Sequence, residues 1–248
     1  MEILVTGAAG VLGRHVVRLA TERGLSVRRL SRTPRPGSEW TVGDVATGEG
    51  LAAALVGVGA VIHCASNPRS HAETDVTGTA NLMRAANGCH VVFPGIVGAD
   101  VIPYGYYRSK TAAENALESS GAPHTIQRYT QFHALLWAML GSLIRLPVVP
   151  VPNDTRFQVL DAAVAARHLV DAALAPAAGR LPDLGGPTVY DVKDLARSVV
   201  AAHGRKRKVF GVNVPGLVGA AFRAGGNLTP NRDESGMTWN EFVAARMS

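Results

Sequence analysis

Glu2-Ile3-Leu4-Val5-Thr6 runs directly into Gly7-Ala8-Ala9-Gly10-Val11-Leu12-Gly13, and the reading of this stretch decides the fold. The apolar run has the length and composition of a buried strand. Beyond the glycines, Val16, Val17, Leu19 and Ala20 carry a helical pattern to Gly24, a residue suited to the position just past a helix end. A Gly-rich turn is by itself a structural commonplace, but in the first strand-to-helix turn of an alternating chain it points to dinucleotide binding. The first glycine permits the tight turn, the second lets a pyrophosphate approach the backbone, and the third lets helix and strand pack closely. The helix N-terminus adds free N–H groups and a partial positive charge. Thr6, Gly7, Gly10, Val11, Leu12 and Gly13 are therefore the expected phosphate cradle of a dinucleotide site.

Outward from this turn, strands and helices alternate. Leu25 to Leu30, Ala60 to Cys64, His90 to Phe93 and His124 to Tyr129 read as strands. Leu51 to Val56, Thr74 to Ala86 and Tyr106 to Leu117 read as helices, the second with a stripe at Val76, Ala80, Met83 and Asn87. Such alternation implies parallel pairing through right-handed crossovers, hence a doubly wound, Rossmann-type α/β sheet. After about residue 150 the alternation loosens: Phe157 to Leu160 suits a strand, and Ala162 to Leu174 and Val192 to His203 suit helices. The expected organisation is a nucleotide-binding core over residues 1–150 carrying a small C-terminal substrate-binding cap over 151–248, packed as one structural unit.

Composition limits the alternatives. The 248 residues are 47% hydrophobic and 18% charged, which supplies a core and removes any case for global disorder. Two cysteines, Cys64 and Cys89, rule out a disulfide framework and a multi-cysteine zinc site, and no activating context surrounds either thiol. The longest apolar stretch, Ala134 to Ile144, is broken by Gly141 and Ser142 and is too short for a membrane span of about 20 residues. With no basic n-region and apolar h-region at the start, the expected setting is soluble and cytoplasmic. The net charge of +6 has one dense run, Arg205 to Lys208, which reads as solvated surface beyond a helix end. No zinc-finger spacing or RNA-binding aromatic signature accompanies it, so no nucleic-acid partner is expected.

The end of the second strand selects the cofactor. An acidic residue there would accept the ribose 2′-hydroxyl of NAD. This chain has Ser31-Arg32, with Arg14 and Arg35 close in sequence, and a guanidinium favours the 2′-phosphate of NADP(H). Tyr106 and Lys110 form Y-x-x-x-K, which a helix places on one face. A free tyrosine ionises near pH 10, and a neighbouring ammonium lowers that value toward a useful one. Tyr106 is thus the candidate acid and Lys110 its support, with a second task for Lys110 at the nicotinamide ribose.

These stretches resemble the short-chain dehydrogenase/reductase superfamily, in its atypical or extended, NmrA-like NAD(P)H-binding branch. The likeness rests on Thr6 to Gly13, Gly43-Asp44-Val45, Val61 to Ser66, Asp75 to Leu82 and Tyr106 to Lys110, with weaker support from Arg128 to His133 and Asp183 to Pro187. It implies that Asp44 and Val45 lie along the adenine and that Ala65 and Ser66 line the nicotinamide side. It also implies a monomer or a homodimer, the helices at Thr74 and Tyr106 being the dimer-face candidates. Two departures stand out. Pro94-Gly95 occupies the place where the family carries a serine, and Tyr129-Thr130 the place where it carries a proline. Losing one donor to a developing oxyanion costs about 10²–10³ in rate.

The expected function is NADPH-dependent reduction of a small hydrophobic carbonyl or quinone compound, in which a quinone asks less of the acid. Phe132, His133, Leu136 and Trp137, at helical spacing, are the candidate substrate wall, with simple core packing as the competing explanation. Leu217 to Asn231 is a candidate for closing over the pocket, and its glycines equally suit ordinary turns. His63, in an apolar strand, reads as a satisfied core histidine. Two other functions use the same scaffold: a non-catalytic NADP(H)-sensing regulator, and an epimerase or lyase that retains its cofactor.

Overall fold

The computed structural model describes residues 1–68, 70–86 and 88–247, so Asn87 of the helical stripe lies outside the described residues. The chain divides into two compact units. The first comprises residues 1–95, 105–128 and 165–182, and the second residues 96–104, 129–164 and 183–248.

The first unit is built on a seven-stranded sheet. Its strands are β1 (Glu2–Thr6), β2 (Ser26–Ser31), β3 (Trp40–Val42), β4 (Val58–His63), β5 (His90–Ile96), β6 (His124–Tyr129) and β9 (Gly179–Arg180), in the order β3-β2-β1-β4-β5-β6-β9. β1 pairs in parallel with both β2 and β4, so the glycine turn leaves the sheet at the point where the strand order reverses. The connecting helices are α1 (Val11–Glu22), α2 (Leu51–Ala54), α3 (Gly78–Ala86) and α4 (Gly105–Ser119). Leu4, Val61, Val91 and Phe93 from the strands and Leu51, Leu82, Ala113 and Leu117 from the helices form one buried cluster. Strands covered on both faces read as near-continuous apolar runs, which is why they were visible in the sequence.

Two features differ from the sequence expectation. The helix expected from Thr74 to Ala86 begins as a π-helical segment, Ala72–Thr77, and becomes α-helical only at Gly78. Apolar periodicity does not register one widened turn, and such turns cluster at functional sites. The short edge strand β3 also escapes it, having three residues and no buried side chain.

The second unit contains α5 (His133–Leu143), β7 (Val148–Pro152), β8 (Arg156–Gln158), β10 (Val189–Asp191), α7 (Val192–Ala202), β11 (Lys208–Val212), α8 (Gly216–Arg223) and α9 (Trp239–Met247). Its strands form two ribbons, β8 with β10 antiparallel and β7 with β11 parallel. Leu136, Leu140, Val151, Leu195, Val199 and Trp239 make its core. α6 (Ala162–Leu174) begins in this unit and continues in the first. The described chain thus combines a mostly parallel Rossmann-type sheet with additional C-terminal helices. No described helix is long and apolar enough to cross a membrane.

Candidate active site

The glycine turn has the form its spacing predicts. Gly7 sits at φ +62°, and a Cβ there would lie 2.6 Å from the Ala65 nitrogen. A Cβ on Gly13 would fall on the Gly7 carbonyl, 2.8 Å from its carbon. One glycine is thus required by conformation and by the close approach of the chain after β4, the other by the helix–strand approach. α1 starts from Gly10 with no side-chain cap and no acid in its first turn, so its leading N–H groups remain available to an anion. These are the features of a pyrophosphate cradle, and a dinucleotide fits the residues present. Val11 is exposed and Leu12 buried, as expected of alternate sides of a first turn.

A cleft of about 630 Å³ opens from this turn. It is lined by Thr6, Gly7, Gly10, Ser31, Arg32, Asp44, Val45, Ala65 and Ser66, which gathers most of the residues expected to hold cofactor. Asp44 accepts from the Ala46 amide at 2.9 Å and so shapes its own turn. A neighbouring cleft of about 490 Å³ carries Arg14, Arg29, Arg35 and Trp40. Arg35 donates to the Ser31 hydroxyl at 3.1 Å and stacks over the Trp40 ring at 4.9 Å. Trp40 and the placing of Arg35 were not legible beforehand, because both depend on the short β3 edge.

Thr6 and His63 join the turn to the next layer. The Ala65 amide donates to Thr6 Oγ1 at 3.1 Å, and the same hydroxyl is hydrogen-bonded to His63 Nδ1 at 2.7 Å. His63 Nε2–H then donates to Thr79 Oγ1 at 3.2 Å, and Thr79 donates to the Asp75 carbonyl at 2.5 Å. Burial keeps the imidazole neutral, pushing His63 down to about 4, assisted by the positive charge of Lys110. His63 is the satisfied core histidine that its setting suggested.

The Tyr106–Lys110 pair lies on α4, and two further residues meet it. Tyr106 OH is 2.8 Å from Ser66 Oγ, and Ser66 donates to Asp75 Oδ2 at 3.2 Å. Lys110 Nζ lies 2.9 Å from Asp75 Oδ1, and above the Phe93 ring at 4.7 Å. Asp75 is fully buried and Lys110 nearly so. Burial by itself would push Lys110 down. The Tyr106 phenol and the Asp75 carboxylate outweigh it and hold Lys110 above its ordinary value. Burial pushes the Cys64 thiol up to about 12, so it is inert. His71 stands edge-on to Tyr106 at 6.2 Å and is bonded to Ser109 at 2.6 Å. In the sequence Asp75 stands out only within the family-like stretch Asp75 to Leu82. A lone helical carboxylate reads as solvated, and only the π-helical turn brings it under Lys110.

Gly95 has a structural reason. A Cβ there would fall on Glu114 Oε1 and lie 2.7 Å from Arg128 Cγ. Glu114 is fully buried and paired with Arg128 at 2.6 Å and Arg180 at 2.9 Å. The space a serine would need is taken by this ion pair.

Phe132, His133 and Trp137 belong to the second unit. Phe132 precedes α5 as its cap residue, and Leu136 is a core residue. His133 is buried and stacked on Phe242 at 5.0 Å, and burial pushes it down to about 4. Trp137 stacks on His203 at 5.0 Å.

Comparison with known proteins agrees with this geometry. A photosystem II assembly factor, Ycf39 of Cyanophora paradoxa, is 32% identical over 149 residues, 53% of this chain and 46% of that one. The chain spans about half the length of the curated relatives it matches first. Among solved structures, a nucleoside-diphosphate-sugar epimerase from Staphylococcus aureus superposes with a TM-score of 0.80 at 21% identity, covering 98% of this chain and 99% of that one. The NADPH-dependent quinone oxidoreductase QOR2 of Escherichia coli gives 0.80 at 18%, covering 99% and 100%. These likenesses show the fold. The NAD(P)H-binding family model matches residues 7–134, from the glycine turn to the start of α5, and the chain belongs to that NAD(P)H-binding family.

Proposed function

We propose that this chain is an NAD(P)(H)-dependent enzyme that interconverts a hydroxyl and a carbonyl group, with Tyr106 as acid and base. The observation that carries this reading is the meeting of Tyr106, Ser66 and charged Lys110 in the same unit as the glycine cradle. Bound there, the nicotinamide ring supplies or accepts hydride. Gly7, Gly10 and the first N–H groups of α1 would hold the pyrophosphate, and Asp44 and Val45 the adenine side. Arg32, with Arg14 and Arg35, would select the 2′-phosphate of NADP(H). Tyr106 gives a proton to, or takes one from, the substrate oxygen, and the Lys110 ammonium stabilises the phenolate. The buried position of Lys110 suits it to that electrostatic task.

Two forms of the reaction use these residues. The first is net reduction of a hydrophobic carbonyl or quinone. The second oxidises a hydroxyl and returns the hydride within one binding event, as an epimerase does. The fold neighbours named as epimerases favour the second. Ser66 spends its proton on Asp75, so Tyr106 donates to Ser66 in the resting site, an arrangement common to both forms. A non-catalytic regulator is the reading that the two photosystem II assembly-factor relatives bring. The deciding experiment follows nicotinamide absorbance with carbonyl, quinone and nucleotide-sugar substrates. Net loss of NADPH marks the reductase, a transient change on bound cofactor marks the epimerase, and binding with neither marks the regulator.

A further inference from the structure

We propose that Asp75 and Ser66 are the positioning residues of this site: Asp75 holds Lys110 as a cation, and Ser66 couples that carboxylate to the Tyr106 phenol. The inference rests on the reading of Tyr106 as the acid–base group and adds the machinery behind it.

The four groups form a closed circuit. Tyr106 and Lys110 stand one helical turn apart on α4, and Asp75 and Ser66 complete the loop through contacts of 2.9, 3.2 and 2.8 Å. The groups facing Lys110 are Asp75 from the π-helical segment, His63 and Cys64 from the end of β4, the Phe93 ring of β5, and Tyr106 of its own helix. Burial keeps His63 neutral and Cys64 a thiol. Asp75 is therefore the one resident anion in this set of neighbours. An ammonium this deeply buried is driven to give up its proton unless such a partner stands beside it. A carboxylate can only accept, so the Ser66 proton points at Asp75, and the Ser66 oxygen receives the phenol proton. The charge on Asp75 thereby fixes both the ammonium and the direction of the phenol O–H. The widened helical turn at Ala72–Thr77 places that carboxylate there.

The test reads the lysine directly. The chain has four lysines, Lys110, Lys193, Lys206 and Lys208, so ε-carbon-labelled lysine gives a simple NMR titration, with Lys110 assigned by Lys110→Met. In the unaltered protein Lys110 stays charged beyond the ordinary lysine range. In Asp75→Asn its midpoint falls by about one pH unit or more, and in Asp75→Glu it stays high. An unmoved midpoint in Asp75→Asn overturns the proposal. If that variant does not fold, Asp75→Asn with Lys110→Met decides: a folded double variant supports the charge pairing, and an unfolded one overturns it. For Ser66, Ser66→Ala lowers kcat by about ten- to a hundredfold, an expectation set by loss of one charge-linked hydrogen bond, with KM little changed and Ser66→Thr restoring most of it. Unchanged kcat overturns that half. The lysine titration requires no turnover, so it stands or falls separately from the hydride-transfer reading, which Tyr106→Phe tests.

Discussion

Lys110 Nζ and the Asp75 carboxylate lie 2.9 Å apart with both side chains withdrawn from solvent. Such a pair is expensive to break from one side, because the survivor is a buried, unpaired charge. Lys110→Met is expected to cost about 3–5 kcal/mol of stability, and adding Asp75→Leu to recover much of it. Urea unfolding of the two variants checks this: equal stability of the single and double variants would contradict the pairing.

Gly95→Ser separates two explanations of the glycine. If a lost hydroxyl limits the reaction, restoring it raises activity. The geometry predicts the opposite. The new Cβ meets Glu114 and Arg128, so the variant loses about 1–3 kcal/mol from overpacking and gains no rate. Thermal melting together with an activity assay distinguishes the two.

Neutral His63 and His133 set the response to acid. Both are held down at about 4, against 6.5 when unfolded. The unfolded chain therefore binds more protons between those values, and stability falls as pH drops from about 6.5 to 4. The slope is up to about 1.4 kcal/mol per pH unit for each histidine. Urea unfolding across that window should show the loss, and His63→Gln, which keeps hydrogen-bonding capacity without titrating, should flatten it.

Arg32→Ala tests the cofactor reading. Loss of a charge-assisted contact to the 2′-phosphate should weaken NADPH binding by about tenfold or more and leave NADH unchanged. Equal affinities for the two nucleotides, unaltered in the variant, would overturn the NADP(H) preference. Arg35→Ala is the companion variant, since Arg35 is braced by Ser31 and Trp40.

The sheet was legible because its information is local. Leu4, Val61 and Val91 lie in apolar runs whose flanking glycines and helical stripes can be read in short windows. The glycine cradle was legible because the spacing of Gly7, Gly10 and Gly13 is itself a short pattern, even though the chain that crowds Gly7 is the distant Cys64–Ala65 segment. Asp75 was not, because its role depends on one extra residue in a helical turn and on a partner 35 positions away. Neither leaves a periodic trace. Gly95 shows the reverse difficulty: the sequence marks a missing serine, whereas the side chains of Glu114 and Arg128 explain the gap. Ser66 was assigned to the cofactor alone, and its contact with Tyr106 links residues 40 positions apart.

The most direct measurement is hydride transfer on the nicotinamide, in the unaltered protein and in Tyr106→Phe, with NADPH affinity measured beside it. The account predicts transfer, net or transient, that falls by about a hundredfold or more in the variant, the range for a positioned general acid, while NADPH affinity stays within about twofold because the cradle of Gly7 to Gly13 is untouched. Transfer at the same rate in Tyr106→Phe, or tight NADPH binding with no transfer to any substrate class, would contradict it.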